Sequence, residues 1–420
     1  MTQGFYTGLS GLTSHQMAID VTADNLASIN TIGFKAYSTE FSTIFDDVLG
    51  HYDNASSLSD TIGAGSLVSA ISMNEKQGML MLTDSSSDLA IDGDGWFGVL
   101  NADGEVLYTR AGSFTIDGSY SVVTRNEGMY VLGTLGNNIQ NDVLVEELES
   151  VPLTTVGSQQ RIQLSKDLYY PSEPTSNVTF DGNLGVEDEV RSISSKIISA
   201  NDEIRELKLI FSQSATQPQE GILWDVTATI QSLDGTEIFS ETEAEVLFDA
   251  NGALIDNTLT SVDNEGITIA IDMGERYSGL TSLANEAVTA ASYSDGVEHG
   301  DLLGYTIGGD GHVEASFSNG RSSAVANIAL YHFMNDQGLA RVSGTHFSQS
   351  SNSGAPIFYT DNNGNVVLGA TILSNKLEAS NVQMEVGMTE LIILQKAYAA
   401  NAKTVTTSDE MIQKALNMGA

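Results

Sequence analysis

The N-terminal segment that decides the fold, residues 5–26, reads FYTGLSGLTSHQMAIDVTADNL. Apolar or small side chains recur in it at alternating steps of four and three residues, a spacing typical of the seam of a coiled coil. The seam positions are Phe5, Leu9, Leu12, Gln16, Ile19, Ala23 and Leu26. This pattern predicts an N-terminal helix over residues 1–30 with a seam available for pairing.

The C-terminal segment carries the same pattern. Residues 388–416 read MTELIILQKAYAANAKTVTTSDEMIQKAL. The seam positions are Met388, Leu391, Gln395, Tyr398, Ala402, Val405, Asp409, Ile412 and Leu416. The pattern predicts a second helix over residues 386–420. We expect it to start late or bend at Gly387, since glycine costs about 1 kcal/mol of helix propensity relative to alanine.

Two interpretations of these helices are open. They are surface helices of one globular domain, or they pair with each other and with copies in neighbouring subunits. Both seams include polar and small side chains, so neither helix has enough apolar surface to be stable alone in water. The terminal placement of the helices and the distribution of charge favour pairing.

The chain is strongly acidic between its two ends. Its 420 residues carry 17 Lys and Arg against 55 Asp and Glu, a net charge of −38, and nearly all of the excess lies in residues 51–370. Such a polyanion does not bind nucleic acid non-specifically and is repelled by anionic membrane surfaces. No segment approaches the roughly 18 apolar residues of a membrane span, so we predict no membrane insertion. The middle is expected to be a solvated exterior and the ends to associate.

The interior of the chain is predicted to be β-structure. Short apolar segments alternate there with Asp-Gly and Glu-Gly turn signals, which favours antiparallel sandwiches or barrels. The predicted strands lie at residues 96–100, 106–109, 114–116, 120–124, 224–226, 246–248, 303–317, 325–333 and 366–373. The predicted fold class is multi-domain α+β, with terminal α-helices that form a coiled coil and two mainly antiparallel β domains between them.

The order of these segments predicts nested domains. Residues 31–75 form an extended linker with a hairpin, and residues 373–385 form the return linker. The inner β domain comprises residues 76–150 and 303–372, and residues 151–302 form an inserted outer β domain. Glycine- and serine-rich residues 55–66 and 348–354 are expected to be loops.

Motifs that suggest chemistry have simpler explanations. Residues 93–98, GDGWFG, fit the glycine pattern of a dinucleotide-binding turn, but strand-like residues follow where that site requires a helix. Acidic residues at 88–94 and 361–365 lack the bidentate glutamate and flanking helices of a calcium loop and are expected to be turns. The chain has no cysteine, and its six histidines have no metal-ligand spacing. We predict no catalytic residue, no cofactor and no metal ion.

A resemblance to a known family begins at the end of the first helix. Residues 24–35, DNLASINTIGFK, closely resemble the N-terminal signature of flagellar rod and hook proteins. Asn25 and Asn30 are suited to capping or turning the chain, and Gly33 permits a backbone conformation that ends the helix. Phe34 is expected to anchor the strand that follows.

Further motifs resemble that family in the same order. They are LAIDGDGWF at 89–97, YTRAGSF at 108–114, LEASNV at 377–382 and QKAYAANAKT at 395–404. FSNG at 317–320 and NDQGL at 335–339 resemble the hook group within the family. Residues 151–302 match weakly.

The resemblance implies a structural subunit of the flagellar hook, the curved tube that transmits torque from rod to filament, with no enzymatic activity. It implies a homopolymer whose partners are the distal rod, the hook cap, the hook–filament junction proteins and the flagellar type III export apparatus. It also implies an extracellular location continuous with the basal body, reached without a cleaved Sec signal. The alternatives are a distal rod protein, a hook–filament junction protein or, in another class, a secreted acidic calcium-binding protein or enzyme.

Overall fold

Two long helices, one at each end, enclose a chain that is otherwise β-structure. The computed structural model describes residues 2–44, 65–187, 189–284, 291–360 and 366–418. Helix α1 spans Thr2–Ala27 and helix α2 spans Met384–Met418, and a short 3-10 helix spans Asp336–Gly338. Within the described residues, neither helix contains a stretch apolar enough to cross a membrane.

The strands fall into three successive groups along the chain. The first group is β1 Tyr37–Thr43, β2 Ser66–Met73, β3 Leu80–Leu82, β4 Leu89–Asp92, β5 Trp96–Leu100, β6 Val106–Thr109, β7 Phe114–Ile116, β8 Val122–Thr124, β9 Tyr130–Leu135, β10 Ile139–Gln140, β11 Val143–Leu144, β12 Gln160–Arg161 and β13 Tyr169–Tyr170. The second is β14 Asn177–Asn183, β15 Arg191–Ile198, β16 Ile204–Gln213, β17 Ile222–Ser232, β18 Ile238–Phe248, β19 Leu254–Asn257, β20 Ser261–Asn264, β21 Ile267–Asp272, β22 Gly274–Glu275, β23 Ser278–Thr281 and β24 Ala291–Ser294. The third is β25 Gly300–Ile307, β26 His312–Phe317, β27 Ser322–Ile328, β28 Leu330–Tyr331, β29 Ala340–Ser343, β30 His346–Ser348, β31 Tyr359–Thr360, β32 Val366–Val367, β33 Thr371–Ser374 and β34 Lys376–Glu378.

Helices α1 and α2 pack side by side and antiparallel. A Cβ atom added at Gly8 would lie 2.9 Å from Val405 Cγ2, and one added at Gly387 would lie 3.0 Å from Leu26 Cδ2. The buried side of α1 consists of small or polar residues: Gly8, Gly11, Ser14, Ala18, Thr22 and Asn25. Gly8 and Gly11 lie against α2 and let the two backbones approach, whereas Ser14 and Asn25 bond to Ser66 of β2 and Tyr37 of β1. Helix α2 begins ahead of Gly387, so the late start expected there is wrong. The glycine serves the close approach of the helices instead.

Most strands of the first and third groups combine into one large sheet, the proximal unit. Its order is β10-β11-β13-β25-β26-β27-β9-β5-β6-β30-β29, so strands close together in space come from both sides of the second group. The core includes Phe97, Phe114 and Phe317, and the Phe97 and Phe114 rings meet edge to face at 5.1 Å. Residues 93–98 lead into strand β5 and not into a helix, as the strand-like sequence predicts.

The second group of strands forms a separate core, the distal unit. Strands β15 to β19 make an antiparallel sheet in sequence order, and a second sheet contains β14, which pairs parallel with β21 and β23. The largest buried side chains of this core are Trp224, Phe180, Phe211 and Phe248. A bridge between Glu173 and Val297 joins the two chain segments that connect the distal unit to the proximal one.

A hairpin of β1 and β2 leads from α1 back to the proximal unit and packs along α1. Strand β3 pairs with β34, and β4 pairs with β33. The segment that enters the proximal unit therefore lies beside the segment that leaves it. Residues 55–64 of the predicted linker and the predicted turn at 361–365 lie outside the described residues.

Candidate functional site at the helix–sheet junction

The junction between the paired helices and the proximal unit begins at the last turn of α1. Asn25 is buried there and holds the backbone of Tyr37 by two hydrogen bonds. Its Nδ2 donates to Tyr37 O at 2.6 Å, and its Oδ1 accepts from Tyr37 N at 2.9 Å. Asn25 therefore fixes the direction in which β1 leaves the helix, while Asn30 lies exposed in the turn that follows.

Gly33 and Phe34 place the next segment against the sheet. Gly33 has a φ of +69° and lies so close to the sheet that an added Cβ would be 2.5 Å from Ala111 N. Because α1 already ends at Ala27, this left-handed conformation serves the close approach and not the helix end that we expected. Phe34 is buried, with the Arg341 guanidinium 5.4 Å from its ring centre. Phe34 is thus packed at the start of the exit segment, which we define as residues 33–36.

A buried ion triad lies under the exit segment. Glu378 Oε1 accepts from Lys35 Nζ at 2.7 Å, and its Oε2 lies 3.4 Å from Arg110 Nη1. Gly78 N also donates to Glu378 Oε1, at 2.8 Å. Burial lowers the pKa of Lys35, and the Glu378 carboxylate opposes that shift. One carboxylate therefore holds two cations that come from distant parts of the chain.

Two amide side chains complete the junction. Asn381 accepts from Ala36 N at 2.7 Å and donates to Asn74 O and Lys76 O, both at 2.8 Å. Gln337 holds the backbone of Met73, with Nε2 donating to Met73 O at 2.6 Å and Oε1 accepting from Met73 N at 2.8 Å. These side chains provide hydrogen-bond partners for backbone groups at the junction. Without them, those backbone groups would be left unpaired.

The motifs that carried the family resemblance meet at this junction. Asn25 and Lys35 belong to the first signature, Arg110 to YTRAGSF, Gln337 to NDQGL, and Glu378 with Asn381 to LEASNV. A groove of about 810 Å³ lies between the helices and the sheet beside them. Sequence reasoning located these motifs but missed the roles of Glu378, Gln337 and Asn381. Their partners lie hundreds of residues away, so no local pattern signals them.

The seam residues predicted on α1 are not among its fully buried residues, although Leu26 lies next to Gly387 of α2. Leu9 is 44% exposed, and four others are partly buried: Phe5, Leu12, Ile19 and Leu26. On α2, Met388 and Tyr398 are 51% and 37% exposed. Three more are partly buried: Leu391, Val405 and Ile412. Among these, Val405 is the one next to Gly8 of α1.

The helices expose apolar side chains that the seam pattern did not include. Ile392 and Ile393 are 56% and 62% exposed, and Tyr6 of α1 is 65% exposed. The signal was present in the sequence, because ELIILQ places four consecutive apolar residues on one turn. Such a run leaves an apolar side chain on more than one face of a helix.

The junction is suited to holding chain segments together. Its charged and amide side chains are engaged with one another and with the backbone, as the distances above describe. Across the described ranges, no three His, Asp or Glu side chains converge as metal ligands would.

Comparison with known proteins places the chain among flagellar axial proteins. Residues 5–35 match the family model described as flagella basal body rod protein, and residues 373–418 match the flagellar basal body rod FlgEFG protein C-terminal model. Residues 90–167 match the flagellar hook protein FlgE/F/G D1 domain. The matched segments contain α1, α2 and much of the proximal unit.

Relatives similar along the whole chain are hook proteins. The flagellar hook protein FlgE of Borreliella burgdorferi is 27% identical, with 100% of both chains covered. The flagellar hook protein FlgE of Escherichia coli is 27% identical, with 99% of both chains covered. The flagellar hook protein FlgE2 of Helicobacter pylori has a similar fold, with a TM-score of 0.51 and 16% identity over 71% of this chain and 100% of that one. Over its whole length this chain is similar to the flagellar hook protein FlgE family.

Proposed function

We propose that this chain is the structural subunit of the bacterial flagellar hook, which self-assembles into a curved tube and transmits motor torque from rod to filament. The observation that carries the proposal is similarity to hook proteins over the full chain. The termini alone would not decide between rod and hook, because the terminal family models are described by rod proteins. The middle of the chain is what favours the hook.

Self-assembly is supported by the apolar faces that the paired helices leave uncovered. Ile392 and Ile393 lie on α2 outside its contact with α1, and Leu9 is exposed on α1. When such a surface meets a different surface on a second copy, the contact repeats into an open helical polymer. We propose that the terminal helices of neighbouring copies pack in this way as a coiled coil. The ordering entropy of the helices is offset by burial between subunits.

The division of the chain into an inner and an inserted outer β domain belongs to the same proposal. It is supported by the two separate apolar cores of the proximal and distal units. We propose that the distal unit lies on the outside of the tube, where its acidic surface weakens contacts between copies. Neighbouring rows of subunits then slide past one another as the hook bends.

Partners follow from a position between rod and filament. The family supports self-polymerisation within the flagellar structure at the hook. We propose the more specific partners as well: the distal rod, the hook cap, the hook–filament junction proteins and the type III export apparatus. Export without a cleaved Sec signal is part of the same proposal.

Electron microscopy of basal bodies from a strain that lacks this gene tests the function. We expect complete rods that end without a hook, restored to hooked basal bodies by a plasmid copy of the gene. The matched control is an empty plasmid in the same strain.

Truncated rods in the deletion strain would indicate that the protein is a subunit of the rod and not of the hook. Normal hooks would mean that another protein forms the hook, and the proposal would be wrong.

A further inference from the structure

The FSNG motif at residues 317–320, which resembles the hook group, forms the turn between strands β26 and β27. Gly320 has a φ of +80°, a left-handed conformation that suits this tight turn, and its N donates to Phe317 O at 3.1 Å. The turn lies beside the two chain segments that connect the distal unit to the proximal one. We define them as the outgoing connector, residues 169–176, and the return connector, residues 295–301.

Two polar residues of the motif hold the return connector. Asp301 N donates to Ser318 Oγ at 3.0 Å, and Ser318 N donates to Asp301 O at 2.9 Å. Asn319 Nδ2 donates to Glu298 O at 2.9 Å. Between these contacts lies Gly300, where an added Cβ would be 2.8 Å from Asn319 Cγ. The connector thus has a residue without a side chain where the amide packs against it.

The apolar residue of the motif holds the outgoing connector. Phe317 and Tyr170 are 2% and 3% exposed, and their ring centres lie 5.3 Å apart. Tyr170 also pairs with Gly300 across strands β13 and β25. One four-residue turn therefore contacts both segments through which the chain enters and leaves the distal unit.

Beyond the motif, the two connectors bind each other and then the distal unit. Glu173 and Val297 exchange backbone bonds of 2.8 and 2.9 Å. Thr175 is fully buried, and its N donates to Ile198 O of strand β15 at 3.0 Å, while its Oγ1 accepts from Ile198 N at 2.8 Å. A change in the direction of the connectors at the turn is therefore passed on to the distal unit.

We infer that the FSNG turn is the site that positions the distal unit, with Asn319 as the positioning residue on the return connector. Its amide holds that connector at one place on the proximal unit, and the connectors set the direction in which the distal unit extends. A motif within the proximal unit thus determines the geometry of the inserted unit. The inference concerns the single chain and does not rest on the proposed function.

Two spin labels, one on each unit of the full-length protein, measure the direction of the distal unit. The chain has no cysteine, so Ala102→Cys in the proximal unit and Ser194→Cys in the distal unit, both at exposed positions, give unique labelling sites. Double electron–electron resonance then gives the distribution of distances between the labels. We expect one narrow distribution in the protein without further substitutions.

Gly300→Ala displaces the Asn319 amide from the connector. We expect the distance distribution to widen about twofold or more, and hydrogen-exchange protection at residues 297–301 to fall about fivefold, as for one lost hydrogen bond. Gly304→Ala is the matched control, because it lies in the same strand and its added Cβ meets nothing within 4 Å. Protection in strands β5 and β9 and in β16 to β18 should stay unchanged in both variants, which separates lost positioning from lost folding.

Asn319→Asp tests the same contact without changing the connector. The carboxylate can still accept from Arg321 N, as the amide oxygen does at 3.0 Å, but it cannot donate to Glu298 O. We expect the same widening of the distance distribution. Asn251→Asp makes the same chemical change at an exposed residue in a turn of the distal unit and should leave the distribution unchanged.

An unchanged distribution in both Gly300→Ala and Asn319→Asp would overturn the inference. Equal widening in Gly304→Ala would also overturn it, since the strand and not the turn would then set the direction. A broad distribution before any of these substitutions would mean that the turn does not hold the distal unit in one direction.

Discussion

The distal unit and the paired helices close their cores in opposite ways. The distal unit fully buries Trp224, Phe180, Phe211 and Phe248 within one chain. The fully buried residues of helix α1 are glycine, serine, alanine, threonine and asparagine, and its larger apolar side chains lie partly or largely in water. Burying a large apolar side chain stabilises a fold by roughly 1.5–3 kcal/mol, and burying a glycine adds almost nothing of that kind. The distal unit closes its core within a single chain, whereas the helical end leaves apolar side chains such as Ile392 and Ile393 exposed.

The largest expected effect is on assembly, through the uncovered face of α2. Ile392→Asp places a carboxylate on a surface that is exposed in the single chain and that we propose is buried between copies. We expect the monomer to keep its unfolding temperature, while the concentration needed for polymerisation rises on the order of 100-fold or more, because an unpaired buried charge costs several kcal/mol. Sedimentation and electron microscopy of the polymer measure this.

Ile392→Val is the matched control for that substitution, since it keeps an apolar side chain at the same position. We expect it to polymerise normally. Normal polymer from Ile392→Asp would mean that this face stays in water in the assembly. The exposed apolar side chains of the paired helices would then not explain why the helices, unlike the distal unit, need other copies.

The second prediction concerns the distal core. Trp224→Ala removes a fully buried side chain and should destabilise the distal unit by about 3–5 kcal/mol. We expect hydrogen-exchange protection to fall in strands β16 to β18 and to remain in the proximal unit. The control is Leu233→Ala, at a side chain that is 61% exposed, where we expect a change within about 0.5 kcal/mol. Equal loss of protection in both units would mean that the two cores unfold as one.

The regular elements were predictable because their signals are local. The 3.5-residue spacing located both helices, and apolar runs between turn residues located strands such as β5 and β6, whose bounds match the predicted segments. The side chain of Trp224 also lies in a buried strand of the distal unit, as its apolar neighbours suggested. In each case a few neighbouring residues determine the local conformation.

The contacts between distant segments were not predictable. Heptad spacing identifies apolar positions, but it does not identify the glycine-rich face that allows α1 to approach α2 closely. Nothing near Glu378 in sequence indicates that its carboxylate meets Lys35 and Arg110, because that pairing is set by how the whole sheet closes. The parallel pairing of β14 with β21 and β23 depends on the same long-range closure.

The smallest expected effect is a difference in how the stability of the two β units depends on pH. Burial raises the pKa of Tyr108 to about 12, and burial together with the neighbouring Tyr108 raises the pKa of Tyr331. Both side chains belong to a cluster beside the proximal sheet, whereas the described core of the distal unit contains no tyrosine. The folded protein therefore holds these phenol protons at a pH where the unfolded chain, with tyrosine pKa near 10, has released them. The stability due to each tyrosine is complete below pH 10 and is lost as the pH rises through its folded pKa, at about 1.4 kcal/mol per pH unit.

We expect the proximal unit to lose hydrogen-exchange protection between about pH 10.5 and 12, ahead of the distal unit, together with the absorbance change of tyrosinate. The comparison is made above pH 10.5 because Lys35, whose pKa is lowered by burial, contributes the opposite slope below the ordinary lysine pKa of 10.5. Tyr331→Phe removes one of the two groups and should make the loss shallower by about one proton. If both units lost protection together in the natural protein and in Tyr331→Phe, the tyrosines would not be what limits the proximal unit at high pH.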